Sequence, residues 1–184
     1  MTCVVGIAER GAVFLGADAI AVGGYAMQTR ATPKVFRHGP FVIGCANSFR
    51  AADVIRYRFE PPPPYDADDD LHRYMATAFV DALRDALKSH GVTVIENNAE
   101  EVPANLLVGI RGRLFVIDDD FHVGESCHAF DAVGCGSDLA LGALHALGGT
   151  GSPRTRLTKA LHAAQAFSAG VRGPFTFVTL PRRP

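Results

Sequence analysis

Thr2, Asp18, Lys34 and Gly44 are the residues whose types and places could together attack a carbonyl. A threonine hydroxyl is a weak nucleophile, but a free α-amine on the same residue, with a pKa of about 7.7–8.0, can take its proton near neutral pH. Threonine is small enough for an initiator methionine before it to be trimmed, which would make Thr2 the true N-terminus. A retained Met1 would turn that amine into an amide, which is no base. A buried Lys34 ammonium beside the amine lowers the amine's pKa by like-charge repulsion, and Asp18 offsets the cost of burying the ammonium. Gly44 has no side chain to block a substrate carbonyl from its backbone N–H, as an oxyanion donor requires.

Two hairpins must bring these groups together. Reading Glu9-Arg10-Gly11 as a three-residue loop sets Ala8 against Ala12 and Thr2 opposite Asp18, with directly opposed Cβ atoms about 5 Å apart. Alternation then puts Val4, Gly6 and Ala8 on the face of Thr2. Reading Gly39-Pro40 as a two-residue turn sets Lys34 opposite Cys45, next to Gly44.

The elements around the hairpins follow from punctuation and periodicity. Strands are expected at Cys3 to Ala8, Ala12 to Ala17, Tyr25 to Gln28, Val35 to His38 and Phe41 to Cys45. A helix near Phe49 to Phe59 comes next, then a longer one from Leu71 to Leu87 whose apolar residues recur at intervals of three and four. Between them Pro61 to Pro64 excludes helix and central strand, and Asp66, Asp68, Asp69 and Asp70 stand where caps and helix-dipole partners belong. Strands return at Asn105 to Ile110, Leu114 to Ile117 and His128 to Val133, the first two joined by Arg111-Gly112. Helices start at Ser137 and Ser152, the latter with Pro153 at the first helical position, and Phe175 to Leu180 is the last strand. Strands, two helices, strands, two helices and a strand is not the alternation of a doubly wound fold. It predicts an α+β domain of two packed antiparallel sheets with a helix pair on each outer side.

The composition leaves room for one such domain. The chain has 184 residues, with 18 Lys and Arg against 19 Asp and Glu, so it lacks the basic field that captures nucleic acid. No apolar run approaches the roughly 20 residues of a membrane span, and the N-terminus lacks the basic and apolar regions of a secretory signal. A cytoplasmic location is expected. Cys3, Cys45, Cys127 and Cys135 have no CxxC spacing and read as small buried hydrophobes. A zinc site from Cys127, His128 and His122 lacks metal-ligand spacing, and the aspartates before Leu71 read as a capped, solvated loop; neither a metal nor a cofactor is expected.

Thr2, Asp18, Lys34-Val35-Phe36, Val42-Ile43-Gly44-Cys45-Ala46 and Ala132-Val133-Gly134-Cys135-Gly136 together resemble the pattern of proteasome β-type subunits, which are N-terminal nucleophile (Ntn) hydrolases. The pattern looks most like that of the bacterial HslV peptidase and short bacterial proteasome homologues, and the likeness runs over nearly the whole chain. The resemblance implies a four-layer αββα sandwich and a threonine-type endopeptidase that forms an acyl-enzyme. It implies stacked homo-oligomeric rings of six or seven subunits, with peptides as substrates and an ATPase unfoldase as a conceivable partner. In this chain Thr2 would be nucleophile and base, Asp18 and Lys34 would tune it, and the Gly44 N–H would hold the oxyanion. Substrate would run along Ala19 to Val22, centred on Ala21, and Val42 and Ala46 would line a pocket favouring a medium to large apolar side chain before the scissile bond. Two departures stand out. The family's Gly-Ser-Gly turn reads Gly134-Cys135-Gly136, and a thiol donates more weakly than a hydroxyl. The acid expected near the end of the final helix aligns with Ala166, and the accompanying serine falls at Ala169 or is displaced to Ser168. Those departures keep open a second reading, a weakly active or inactive ring protein with an assembly role. A third, an unrelated sandwich that binds a small ligand, lacks a motif of its own.

Overall fold

A computed structural model describes residues 1–64, 70–96 and 98–182. The chain order is β1 (Val4–Glu9), β2 (Ala12–Ala17), β3 (Ile20–Gly23), β4 (Ala26–Thr29), β5 (Val35–His38), β6 (Phe41–Ala46) and α1 (Phe49–Tyr57). Then come α2 (Leu71–Tyr74), a π-helical turn (Met75–Phe79), α3 (Val80–Ser89), β7 (Val94–Glu96), β8 (Ala99–Glu101), β9 (Asn105–Ile110), β10 (Arg113–Ile117), β11 (Val123–Glu125) and β12 (Phe130–Val133). The chain closes with α4 (Ser137–Leu147), α5 (Pro153–Phe167) and β13 (Thr176–Leu180).

Two antiparallel sheets hold the molecule, one ordered β12-β1-β2-β13 and the other β11-β10-β9-β6-β5. Three apolar clusters fill the three spaces between four layers. Cys3, Val5 and Ile7 of the first sheet pack on Ala140 and Leu144 of α4 and on Leu157, Leu161 and Ala164 of α5. Val4, Val13 and Leu15 meet Val42, Leu107 and Leu114 between the sheets. Phe41, Ile43 and Cys45 of the second sheet pack under Val54, Ile55, Phe79 and Leu83. This is the expected αββα sandwich. Strands β1 and β6 are buried on both faces, so neighbouring residues on each serve different layers.

The helices end as their sequences direct. Ser48, Asp70 and Ser152 cap α1, α2 and α5 by accepting the N–H groups of Ala51, Arg73 and Thr155. Asp66, Asp68 and Asp69 lie outside the described residues. The helix expected from Leu71 to Leu87 is interrupted by the π turn, which sits where Tyr74, Met75 and Phe79 are all buried in the same cluster.

The first hairpin departs from expectation. Arg10 and Gly11 both have positive φ, 53° and 79°, and form a two-residue turn, so Glu9 pairs with Ala12 and Val4 with Ala17. Continued by one rung, that register sets Cys3, not Thr2, against Asp18, and the Asp18 N–H donates to the Cys3 carbonyl at 3.3 Å. The second hairpin is as expected: His38 pairs with Phe41, Val35 with Gly44, and the Cys45 N–H donates to the Lys34 carbonyl at 3.0 Å. The short strands β3, β7, β8 and β11 add to the expected list of strands, the strand expected at Tyr25 to Gln28 is β4, and β12 begins at Phe130 rather than His128.

Candidate active site

Asp18 lies just past the end of β2 and is wholly buried. Its carboxylate takes the place that its own carbonyl would hold in the last rung of the ladder: Oδ1 accepts the Cys3 N–H at 2.8 Å, and Oδ2 accepts the Ile20 N–H at 3.1 Å. Lys34 Nζ donates to both oxygens at 3.0 Å, so three donor groups make four contacts with the Asp18 carboxylate. The one-residue slip therefore does not separate the acid from the lysine. Lys34 also donates to Thr2 Oγ1 at 3.0 Å, and Thr2, Asp18 and Lys34 are each at least 96% buried, as relative exposures of 3%, 0% and 4% show. Burial pushes the Lys34 ammonium below the ordinary lysine range, and the neighbouring Asp18 opposes that shift. The outcome is a cation held against a hydroxyl oxygen in a dry setting.

The other side of Thr2 is built from sulfur. Its backbone N–H points at Cys135 Sγ at 3.3 Å, and the thiol points back at the Thr2 carbonyl at 3.4 Å. Ser168 Oγ lies 3.8 Å from the same sulfur, so the displaced serine does reach the site. Ala166, in the last turn of α5, is exposed and offers no acid there. Gly134, with φ of 97°, and the Gly136 N–H, which donates to the Thr2 carbonyl at 3.3 Å, hold the backbone of Thr2 against this turn. Cys3 and Cys45 are buried free thiols pushed up to about 12, while Cys127 and Cys135 are exposed, against the expectation that all four are buried. Met1 is present in the chain, its carbonyl accepting the Thr2 hydroxyl at 2.5 Å.

Four expected contributors lie elsewhere. Because Cys45 is bonded to β5 through its N–H, antiparallel alternation turns the Gly44 N–H to the other neighbour, at Leu107 of β9. Gly44 is buried mid-strand, and a Cβ there would collide with Val4 of the other sheet, so this glycine lets the sheets approach rather than receiving an oxyanion. Val42 and Ala46 belong to the same inter-sheet layer and line no cleft beside Thr2. The cleft that does open beside Thr2 and Lys34 is walled by the other parity of β6, at Cys45, and by Asn47, Ser48, Phe49, Ala52 and Arg56 around the start of α1. Ala21 faces its hairpin partner: the Arg30 N–H donates to Ala19 at 2.7 Å, so Ala21 pairs with Gln28 and Val22 keeps its N–H and C=O on the side away from β4. Asn47-Ser48 ahead of an apolar-periodic run is the signal that marks this wall, since it reads as a helix cap.

A second, more open cavity of about 640 Å³ lies beyond Cys135, between Asn47, Asn105, Asp118, Asp131 and Ser137. Burial raises the Asp131 carboxyl above the usual carboxylate range; the Ala132 N–H opposes this and the charge on Asp118 adds to it. Among the described residues no group of three potential metal ligands occurs, and no helix is long and apolar enough to cross a membrane.

No family model and no curated protein matches the chain. Solved structures do. The chain superposes on the BPH protein of Thiobacillus denitrificans with a TM-score of 0.82 at 21% identity, each chain covered in full; that protein is also known in complex with epoxomicin. Eukaryotic HslV from Trypanosoma brucei aligns with a TM-score of 0.72 and 18% identity over 97% of this chain and 98% of that one. The Anbu (Gly-1) mutant from Hyphomicrobium sp. strain MC1 gives 0.68 and 17% over 97% and 80%. The fold is that of the proteasome-like Ntn hydrolases, in agreement with the resemblance of the sequence.

Proposed function

We propose that this chain, with its proteasome-like fold, is a threonine-type peptidase subunit in which Thr2, freed of Met1, attacks peptide bonds and forms an acyl-enzyme. The observation that carries this reading is the buried contact of Lys34 Nζ with Thr2 Oγ1 at 3.0 Å, backed by the fully bonded Asp18. With Met1 removed, the Thr2 α-amine takes the hydroxyl proton as the oxygen attacks, and Lys34 favours the developing negative charge on that oxygen. The amine then returns a proton to the leaving amine of the substrate, and water releases the acyl group by the reverse sequence. Cys135 holds the amine in place. Since Gly44 is turned away, the oxyanion role passes to the first amide of α1, at Phe49, which lines the cleft and has no carbonyl within the helix to bond. Substrate adds to the open edge of β3 through Val22. The particle is a ring of such subunits acting in the cytoplasm. The Cys135 and Ala166 departures favour a second reading, a ring protein of low activity with an assembly role.

The test is intact-mass measurement of the native protein before and after exposure to epoxomicin, a peptide vinyl sulfone or a peptide boronate. The expected result is a mass lacking Met1 and one adduct per subunit, absent in Thr2→Ala. Retained Met1, or adducts that survive Thr2→Ala, would sink the catalytic reading.

A further inference from the structure

The cleft beside Thr2 is narrow, with about 20 Å³ open to water-sized groups. Phe49, Pro33, Thr32 and Ala52 line it. Among the described residues, the one cation that lines it apart from Lys34 is Arg56, in the last turn of α1. One end of the Arg56 guanidinium donates to the Pro33 carbonyl, and its plane lies over the Phe36 ring at 4.3 Å, so the group is fixed. Its Nε–H, however, is buried and has no acceptor among the described residues. Asp53, one turn earlier on the same helix, also lines the cleft but is exposed and forms no ion pair with Arg56 within 4.0 Å. A buried charged donor without an acceptor favours any ligand that brings an oxygen to it.

Resting on the peptidase reading above, we propose that this cleft receives the side chain before the scissile bond and selects one that ends in a carboxamide or carboxylate oxygen, with Arg56 as the specificity-determining residue. The stem lies against Phe49 and Ala52, and the terminal oxygen turns to the Arg56 guanidinium. This replaces the apolar preference expected from Val42 and Ala46. A side chain of equal length without the oxygen fills the cleft but leaves the donor unpaired, which is the stronger basis for discrimination.

The experiment compares fluorogenic peptides and matched vinyl sulfones that differ only in carrying Gln, Glu or Met at that position, assayed on the mature full-length protein. The expected result is turnover or Thr2 labelling roughly tenfold faster for Gln or Glu than for Met. Gln ahead of Glu would identify the carboxamide, with Asp53 disfavouring a second negative charge. In Arg56→Met the ratio falls toward one. Ala52→Leu, which narrows the cleft and keeps the oxygen from the guanidinium without changing Arg56, lowers it as well and stands in if Arg56→Met melts early. Met equal to or faster than both oxygen-bearing residues overturns the specificity assignment alone. No labelling of Thr2 by any of the three overturns the peptidase reading, and the specificity with it.

Discussion

Thr2 is gripped from two sides that differ in kind. On one side are nitrogen and oxygen at 2.8–3.1 Å, with Asp18 accepting from Cys3, Ile20 and Lys34 and every member buried. On the other are contacts to sulfur at 3.3 and 3.4 Å, a serine at 3.8 Å and open solvent at Cys135. Charge-assisted bonds in a low-dielectric setting are short and strong, whereas a thiol is a weak donor and a weak acceptor. The hydroxyl is therefore fixed more firmly than the nitrogen that must serve as its base.

The largest effect is expected on the charged side. Lys34→Ala leaves the Asp18 carboxylate buried with no cation, so stability should fall by about 3–5 kcal/mol in denaturant titration. Thr2 labelling should slow by roughly 10²–10⁴-fold in whatever remains folded. The contrast between the two sides breaks if Cys135→Ala does as much damage.

Cys135→Ser should act in the opposite direction, raising the rate of Thr2 labelling by about threefold to tenfold, because a hydroxyl at that place is the better partner for the amine. A fall in rate would show that the sulfur is suited to its position. The smallest effect belongs to the cavity beyond Cys135. The Asp131 carboxyl is raised in the fold, so its ionised form costs stability at neutral pH, and that cost fades as the pH falls through the raised value toward the ordinary aspartate range. Asp131→Asn should raise the melting temperature slightly at pH 7, by under about 1 kcal/mol in free energy, and lose this advantage in acid. A pH-independent difference between the two proteins would remove the electrostatic account.

The layers were legible in the sequence because helical periodicity, Ser152-Pro153 and the turn dipeptides all point the same way. The Gly39-Pro40 turn read correctly as two residues, and so did Arg111-Gly112. Arg10-Gly11 is the same dipeptide with the same positive φ pair, yet the glutamate before it suggested a longer loop. A one-residue slip exchanges the faces of a strand. It did little harm at Asp18, which lies beyond the ladder and bonds through its side chain. Face assignment on β6 failed for a different reason: Phe41 to Ala46 is buried throughout, so its composition carries no alternation to separate the layer of Val42, Gly44 and Ala46 from that of Phe41, Ile43 and Cys45. The parity of Ala21 and Val22 was likewise hidden, since only the hydrogen bond at Arg30 settles it. The strands β7, β8 and β11 are three residues each, too short for a pattern.

The bare backbone at Gly44, pressed on Val4, has a counterpart at Gly109, where a Cβ would lie 2.5 Å from Val13. Two sheets this close leave no room for water or for independent breathing. Amide hydrogens of β1 and β6 should then exchange with deuterium only through global unfolding, while those in the first turn of α1 exchange through local fluctuations. The residue that reacts would keep time with the whole molecule, and the wall that recognises would keep its own, faster clock.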